Sequence, residues 1–271
     1  MQVVLANGAE LFPRVVCGVD GSAAGEEAVR QALLLSDPRG QLVLVSVAMV
    51  TAGAHPQSVL ALRSRATAVL EAAGRVAGGR AVDRRVVEAE PVSGLLAAAK
   101  HDRATLLAVG SHGIGRVAGI LTGSVATAVV HRAHCSVLIA RAGGSAGPFP
   151  SRIVVGVDGS APSLEAVWIA QRLAERVGAK LELIAAAGAA AGSADPQVYG
   201  LGEVSRDERD PVVALLAACD DAALLVVGSR GLGGVRALGS VSERVAHRAP
   251  VSVLVVRSGE PGAARYAGTA D

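Results

Sequence analysis

The chain has 271 residues, which at roughly 100–200 residues per domain means one large domain or two small ones. Lys plus Arg number 26 and Asp plus Glu 24, giving a formal net charge of +2, too balanced for a protein that mainly neutralises phosphate backbones. One Trp, two Tyr and two Phe supply no base-stacking platform, and apolar runs such as Leu224–Val227 and Val251–Val256 fall well short of the ~18 residues of a membrane span, so neither nucleic acid nor a membrane is an expected partner.

Taken in chain order, Met1–Arg14 has no basic segment followed by an apolar one, and Glu10 interrupts it, so no signal peptide is read there. Val15–Val19 is a short β-branched run, hence a strand. Glu26–Leu35 has helical periodicity, and Leu42–Val47 is the next strand. Val59–Val76 is a long helix, with Val59, Leu62, Ala66, Val69, Leu70 and Ala73 on one face. Val82–Glu88 is a weaker strand. Val92–Lys100 is helical, and Pro91 suits its first turn. Leu106–Val109 is a buried strand, Val125–His131 a helix and Ser136–Ala140 a last strand. Strands apolar throughout and alternating with helices indicate βαβ units and a parallel sheet covered on both faces.

The chain then repeats itself. RVVCGVDGSA at Arg14–Ala23 returns as RIVVGVDGSA at Arg152–Ala161, identical at 8 of 10 positions. Gly123–Arg141 and Gly239–Arg257 agree at 11 of 19 positions. LLAVGSHG at Leu106–Gly113 matches LLVVGSRG at Leu224–Gly231. The order of the blocks is the same in both halves, so the chain is two tandem copies of one unit. The expected domains are 12–142 and a shortened 151–258, with a linker at 143–150 and a loose tail at 259–271.

Copy two is shorter. Asp20 to Gly110 spans 90 positions and Asp158 to Gly228 spans 70, the deficit falling between the second strand (Leu181–Ala186) and the third (Gln197–Val204). The long helix of copy one is therefore expected to have no counterpart. An apolar face should remain there, calling for a partner or a second molecule, so a homo-oligomer is expected.

The segment after the fourth strand carries the chemistry. It reads Gly110-Ser-His-Gly113, then nine residues, then Gly123-Ser124. Glycines let a loop turn and let backbone approach a ligand. Ser124 then opens a helix whose free N–H groups favour an anion. Two glycine turns and a helix N-terminus beyond a parallel strand make a phosphate cradle; the same glycines also serve as plain turns. Asp20 and Asp158 each follow a first strand, where a carboxylate accepts from ribose hydroxyls or caps the next helix.

These blocks together resemble the universal stress protein family, whose ATP-binding members carry G-x2-G-x9-G-(S/T) after the fourth strand. Gly110, Gly113, Gly123 and Ser124 match it in full, and VDGS at Val19–Ser22 and CSVLIA at Cys135–Ala140 extend the likeness. The resemblance covers both halves. It implies an α/β fold of two tandem five-stranded parallel-sheet sandwiches, Rossmann-like and akin to the adenine nucleotide alpha hydrolases. It places Val19, Asp20 and Val47 at the nucleoside and Gly110, His112, Gly113, Gly123, Ser124 and Val125 around the phosphates. The implied ligand is ATP or a related adenine nucleotide, with Mg2+ as its companion ion, in a stress-response sensor or regulator. It also implies dimerisation through the last strand.

In copy two, Asp158, Gly228, Gly231, Gly239 and Ser240 persist, but only seven residues separate Gly231 from Gly239. The cradle is displaced, so copy two is the weaker candidate for a second site. No G-x4-G-K-(S/T) occurs, and neither loop offers a general base or a lysine, so the nucleotide is expected as a regulatory ligand, with slow hydrolysis at most. A scaffold for protein–protein contacts, keeping the glycines as turns, is the competing reading.

Cys17, Cys135 and Cys219 are odd in number and far apart, which suits a reducing cytoplasm. Cys17 and Cys135 fall in strands and are expected in the core. The histidines form no metal-ligand pattern, so no metal site is expected. His131-Arg132 and His247-Arg248 each follow a helix, which suits its C-terminal dipole. Arg80, Arg84 and Arg85 straddle a strand and read as a solvated edge.

Overall fold

The computed structural model describes residues 11–50, 53, 55–113, 122–142, 148–187, 204–229 and 239–257. The chain divides into two compact units, one of them Phe12–Ala142 and the other carrying the elements after Gly143.

In the first unit β1 (Arg14–Gly18) lies between β2 (Gln41–Ala48) and β4 (Leu106–Gly110), all parallel. β3 (Asp83–Glu88) pairs with β2, and β5 (Ser136–Ala140) with β4. The strand order is therefore 3-2-1-4-5, and it reverses between β1 and β4. α1 (Ala23–Leu35) and α2 (Pro56–Val76) contact each other, as do α3 (Pro91–His101) and α4 (Ser124–Arg132). Right-handed crossovers put the first pair on one face of the sheet and the second pair on the other.

The core follows from composition. Val16, Cys17, Leu44, Leu107, Leu138 and Ile139 are fully buried, and each large side chain so placed stabilises the fold by about 1.5–3 kcal/mol relative to exposure. α1 buries Ala24, Ala28, Val29, Ala32 and Leu35 at helical spacing. Ser22 caps it by accepting from the Gly25 amide at 3.1 Å. Pro56 and Pro91 open α2 and α3, where a missing N–H costs nothing.

The second unit repeats this plan. β6 (Arg152–Gly156) lies between β7 (Lys180–Ala186) and β9 (Leu224–Gly228); β8 (Val204–Asp207) pairs with β7 and β10 (Ser252–Val256) with β9, all parallel. Its described helices are α5 (Ala161–Val177), α6 (Pro211–Ala217) and α7 (Ser240–Arg248).

One expected strand runs further along the chain than its apolar content suggests. The third strand of copy two is described over Val204–Asp207, three residues past the expected end at Val204, and the rest of the expected Gln197–Val204 lies outside the described residues. An edge strand pairs on one side only, so Val-Ser-Arg-Asp can serve without the apolar run that makes a central strand legible. The absence of a long helix before it was expected within residues 188–203, which lie outside the described residues. Leu183, Ile184 and Ala185 of β7 are buried, while Ser205 and Arg206 of β8 are exposed. The described part of these two strands therefore does not present the expected apolar face.

Of the three arginines expected at a solvated edge, Arg84 is exposed, while Arg80 and Arg85 have structural partners. Arg80 donates to Ser36 Oγ at 2.7 Å and to the carbonyls of Asp37 and Gly40, holding the turn between α1 and β2. Arg85 makes a bidentate pair with Asp102 at 2.8 and 3.0 Å. No helix among the described residues is long and apolar enough to cross a membrane.

Candidate functional site

A cavity of about 730 Å³ opens at the carboxyl end of the first unit's sheet, where the strand order reverses. Val19, Asp20, Val47, Gly110, His112, Gly113, Gly123, Ser124 and Val125 all line it. Elements far apart in sequence deliver them: the end of β1, the body of β2, the loop after β4 and the start of α4.

The turn after β1 is built by Asp20. Its Oδ1 accepts from the Ser22 amide at 3.0 Å and the Ser22 hydroxyl at 2.6 Å. Gly21 between them has φ +85°, a conformation that an L side chain rarely adopts. Asp20 thus serves the helix start, as a capping residue would, and also faces the cavity. Its Oδ2 lies close to Gly113.

The loop after β4 is fixed by backbone bonds. The Ser111 amide donates to Ala140 O at 2.8 Å, and the Gly123 amide to Ser111 O at 2.6 Å. The second bond brings the chain back to where it left the sheet, so Gly110 and Gly123 become neighbours in space. Ser111 Oγ lies 2.9 Å from His112 Nδ1. Gly123 is the N-cap of α4, in extended conformation, and supplies no side-chain cap. The first-turn amides of α4 therefore open at the wall formed by Ser124, Val125 and Ala126, where the helix dipole favours negative charge.

Not every glycine is there for a ligand. A Cβ on Gly110 would lie 2.7 Å from the Ala24 carbonyl carbon, and one on Gly18 would lie 2.8 Å from Leu95 Cδ2. Packing requires Gly110, which faces backbone that cannot give, whereas Gly18 faces only the far end of a side chain. A Cβ on Gly123 would meet nothing closer than 3.4 Å.

Val45, Pro91, Leu95 and Thr122 also line the cavity and were not foreseen. Val45 was within reach, because residues two apart on a strand share a face and Val47 was already placed. Pro91 and Leu95 of α3 read as a helix start and a core position, and Leu95 is indeed buried.

In the second unit the turn recurs: Asp158 Oδ1 accepts from the Ser160 amide at 3.0 Å and its hydroxyl at 2.6 Å. Gly228 ends β9, and Gly239 caps α7 without a side-chain bond. Gly231 lies outside the described residues. Two differences mark the start of α7. Ser242 donates its hydroxyl to Gly228 O at 2.5 Å, and Glu243 places a carboxylate in the first turn. Ala126 and Thr127 hold these positions in α4.

Cys17, Cys135 and Cys219 are buried free thiols, and burial pushes Cys17 and Cys219 up to about 12, which keeps them protonated and unreactive. His131 and Arg132 lie in the last turn of α4, His247 and Arg248 in that of α7.

A doubly wound α/β unit with a cavity at its switch point, opposite a helix N-terminus, defines a class of ligand-binding proteins. Comparison with known proteins narrows it. The sequence pattern of the universal stress protein family (Usp) matches residues 12–141 and 201–257. The universal stress protein Rv2623 of Mycobacterium tuberculosis H37Rv is 33% identical, over 90% of this chain and 96% of that protein. A universal stress protein of Mycolicibacterium smegmatis is 29% identical over the same shares. The crystal structure of a universal stress protein from Archaeoglobus fulgidus DSM 4304 has the same fold, with a TM-score of 0.72 and 24% identity over 91% of this chain and 97% of that one. The chain belongs to the universal stress protein family, as a tandem member.

Proposed function

We propose that the chain binds an adenine nucleotide, ATP or a close relative, in the cavity of its first unit, and that the nucleotide acts as a regulatory ligand. One observation carries this reading: nine residues from four separate segments line a single cavity whose volume suits a small ligand. Val45, Val47 and Leu95 offer an apolar slot for a base. Asp20 offers a carboxylate to ribose hydroxyls. The uncapped start of α4 offers amides and a dipole to phosphates. Among the described lining residues no lysine or arginine stands ready to balance transferred charge, which supports ligand over substrate.

The second unit is the weaker binder in this reading. Ser242 ties the first turn of α7 to β9, and Glu243 adds an acidic residue to that turn, which already answers the helix dipole. A second reading has one observation in its favour. Gly110 has a packing reason independent of any ligand, as a scaffold with plain turns would require. Equilibrium titration of the purified, nucleotide-free chain with ATP, with and without Mg2+, separates the two. Saturable binding lost on Asp20→Ala supports the first reading; no binding at millimolar ATP leaves the scaffold.

A further inference from the structure

We propose that Arg141 is a positioning residue that holds the phosphate-facing start of α4 and so sets how strongly the cavity prefers ligands with more phosphate groups. The inference rests on the nucleotide reading above. Arg141 directly follows β5 and is only 7% exposed. It is not among the residues that line the cavity; it stands behind one of them. Its Nη2 donates to Thr122 Oγ1 at 2.9 Å. Thr122 lines the cavity and immediately precedes Gly123, the N-cap of α4.

This side-chain tie runs in parallel with two backbone ties. Ser111 N to Ala140 O and Gly123 N to Ser111 O already link the end of β5, the loop after β4 and the start of α4. The guanidinium adds a third link at the residue before the cap. It therefore restrains the height and direction of the first-turn amides, on which binding of an anion depends.

Charge adds to geometry. Burial lowers the Arg141 pKa to about 10, still well above neutrality, so a cation is held behind the cradle. A charge in buried surroundings acts over a longer range than one in water and is screened less by salt. The repeat supports a local role. Arg257 keeps the arginine in copy two, but Leu238 stands where Thr122 does in copy one. A leucine side chain accepts no hydrogen bond, so this tie belongs to the first copy.

The test uses the full chain with Arg141→Gln, Arg141→Lys and Thr122→Val, titrated calorimetrically with adenosine and ATP, thermal unfolding reporting that each variant is folded. Thr122→Val removes the tie without touching the cation, and it decides the matter if Arg141→Gln fails to fold. Arg141→Gln should bind adenosine within about twofold of wild type and ATP roughly tenfold more weakly, with Arg141→Lys in between, and Thr122→Val should weaken ATP binding to a similar extent. The loss should persist when salt is raised. Equal losses for adenosine and ATP in Arg141→Gln, or unchanged ATP affinity in Thr122→Val, would overturn the proposal while leaving nucleotide binding intact. A wild-type chain that binds neither ligand overturns the nucleotide reading, and this proposal with it.

Discussion

Asp20 and Gly113 approach so closely that a Cβ on residue 113 would lie 2.7 Å from Asp20 Oδ2. The contact joins the end of β1 to the loop after β4 across the switch point. The carboxylate cannot easily swing away, because its other oxygen holds the Ser22 amide and hydroxyl. Gly113→Ala should therefore displace the loop or the carboxylate. Residue 113 is exposed, so the fold should survive with little change in stability. ATP affinity should fall at least about tenfold, as expected when a hydrogen-bonding group is misplaced. Titration of a folded variant checks this; unchanged affinity would remove Asp20 and Gly113 from the site.

Gly123→Asp should separate binding from stability. Aspartate is a better N-cap than glycine by a few tenths of a kcal/mol, and a Cβ here meets only ordinary contacts. Stability should stay within about 0.5 kcal/mol of wild type. The new carboxylate would occupy the place of a phosphate, so ATP binding should be abolished. Chemical denaturation and titration on the same preparation give both answers, and retained binding would count against the cradle.

Gly110→Ala should do the reverse. Its Cβ would press on the Ala24 carbonyl carbon and the Gly25 amide of α1, and backbone cannot give as a side chain can. A loss of about 1–3 kcal/mol is expected from overpacking. Gly228→Ala should behave alike, against Pro162 and Ser163. Denaturant titration without nucleotide measures it, and a neutral effect would show that the glycine is not kept for packing.

These glycines show what the sequence could and could not say. Repetition, alternation of apolar runs with helical segments and the glycine spacing pointed to Asp20, Gly110, Gly113, Gly123 and Ser124, and the family resemblance added Val19, Val47, His112 and Val125; all nine line one cavity. Packing reasons were not legible. Nothing in the pattern says that Gly110 presses on the backbone of α1 while Gly123 has room for a side chain, because both look alike until the sheet is assembled. Leu95 was hidden for the same reason: an apolar residue on a helix face reads as core, and here it is both core and wall. Val-Ser-Arg-Asp of β8 escaped because a strand at an edge needs little apolar content.

Asp102 gives a prediction in pH. It is nearly buried, which by itself would raise its pKa, but hydrogen bonds from Arg85 and His101 outweigh burial and hold it below the usual carboxylate range. A carboxyl whose folded pKa is depressed contributes stability above its unfolded pKa and loses it as pH falls through the folded one. Asp102→Asn should therefore cost about 1–2 kcal/mol at pH 7 and much less once the pH has fallen through the depressed pKa of Asp102. Unfolding curves of both proteins across this range test it; a penalty independent of pH would mean that Arg85 is held by something other than charge.

The start of each cradle helix predicts how many nucleotides the chain holds. α4 opens with Ser124, Val125, Ala126 and Thr127, and none of them is acidic. α7 opens with Ser240, Val241, Ser242 and Glu243. Ser242 spends its hydroxyl on Gly228 O, which draws the first turn of α7 toward β9. Glu243 already answers the helix dipole, so an incoming phosphate gains less. The connecting loop is also two residues shorter than in copy one. All three act in the same direction, and the expected stoichiometry is one nucleotide per chain. Gly123→Asp should then remove all tight binding, while Gly239→Asp should change little. Two sites of equal affinity in wild type, or half of the sites surviving in Gly123→Asp, would show that the second unit binds as well as the first.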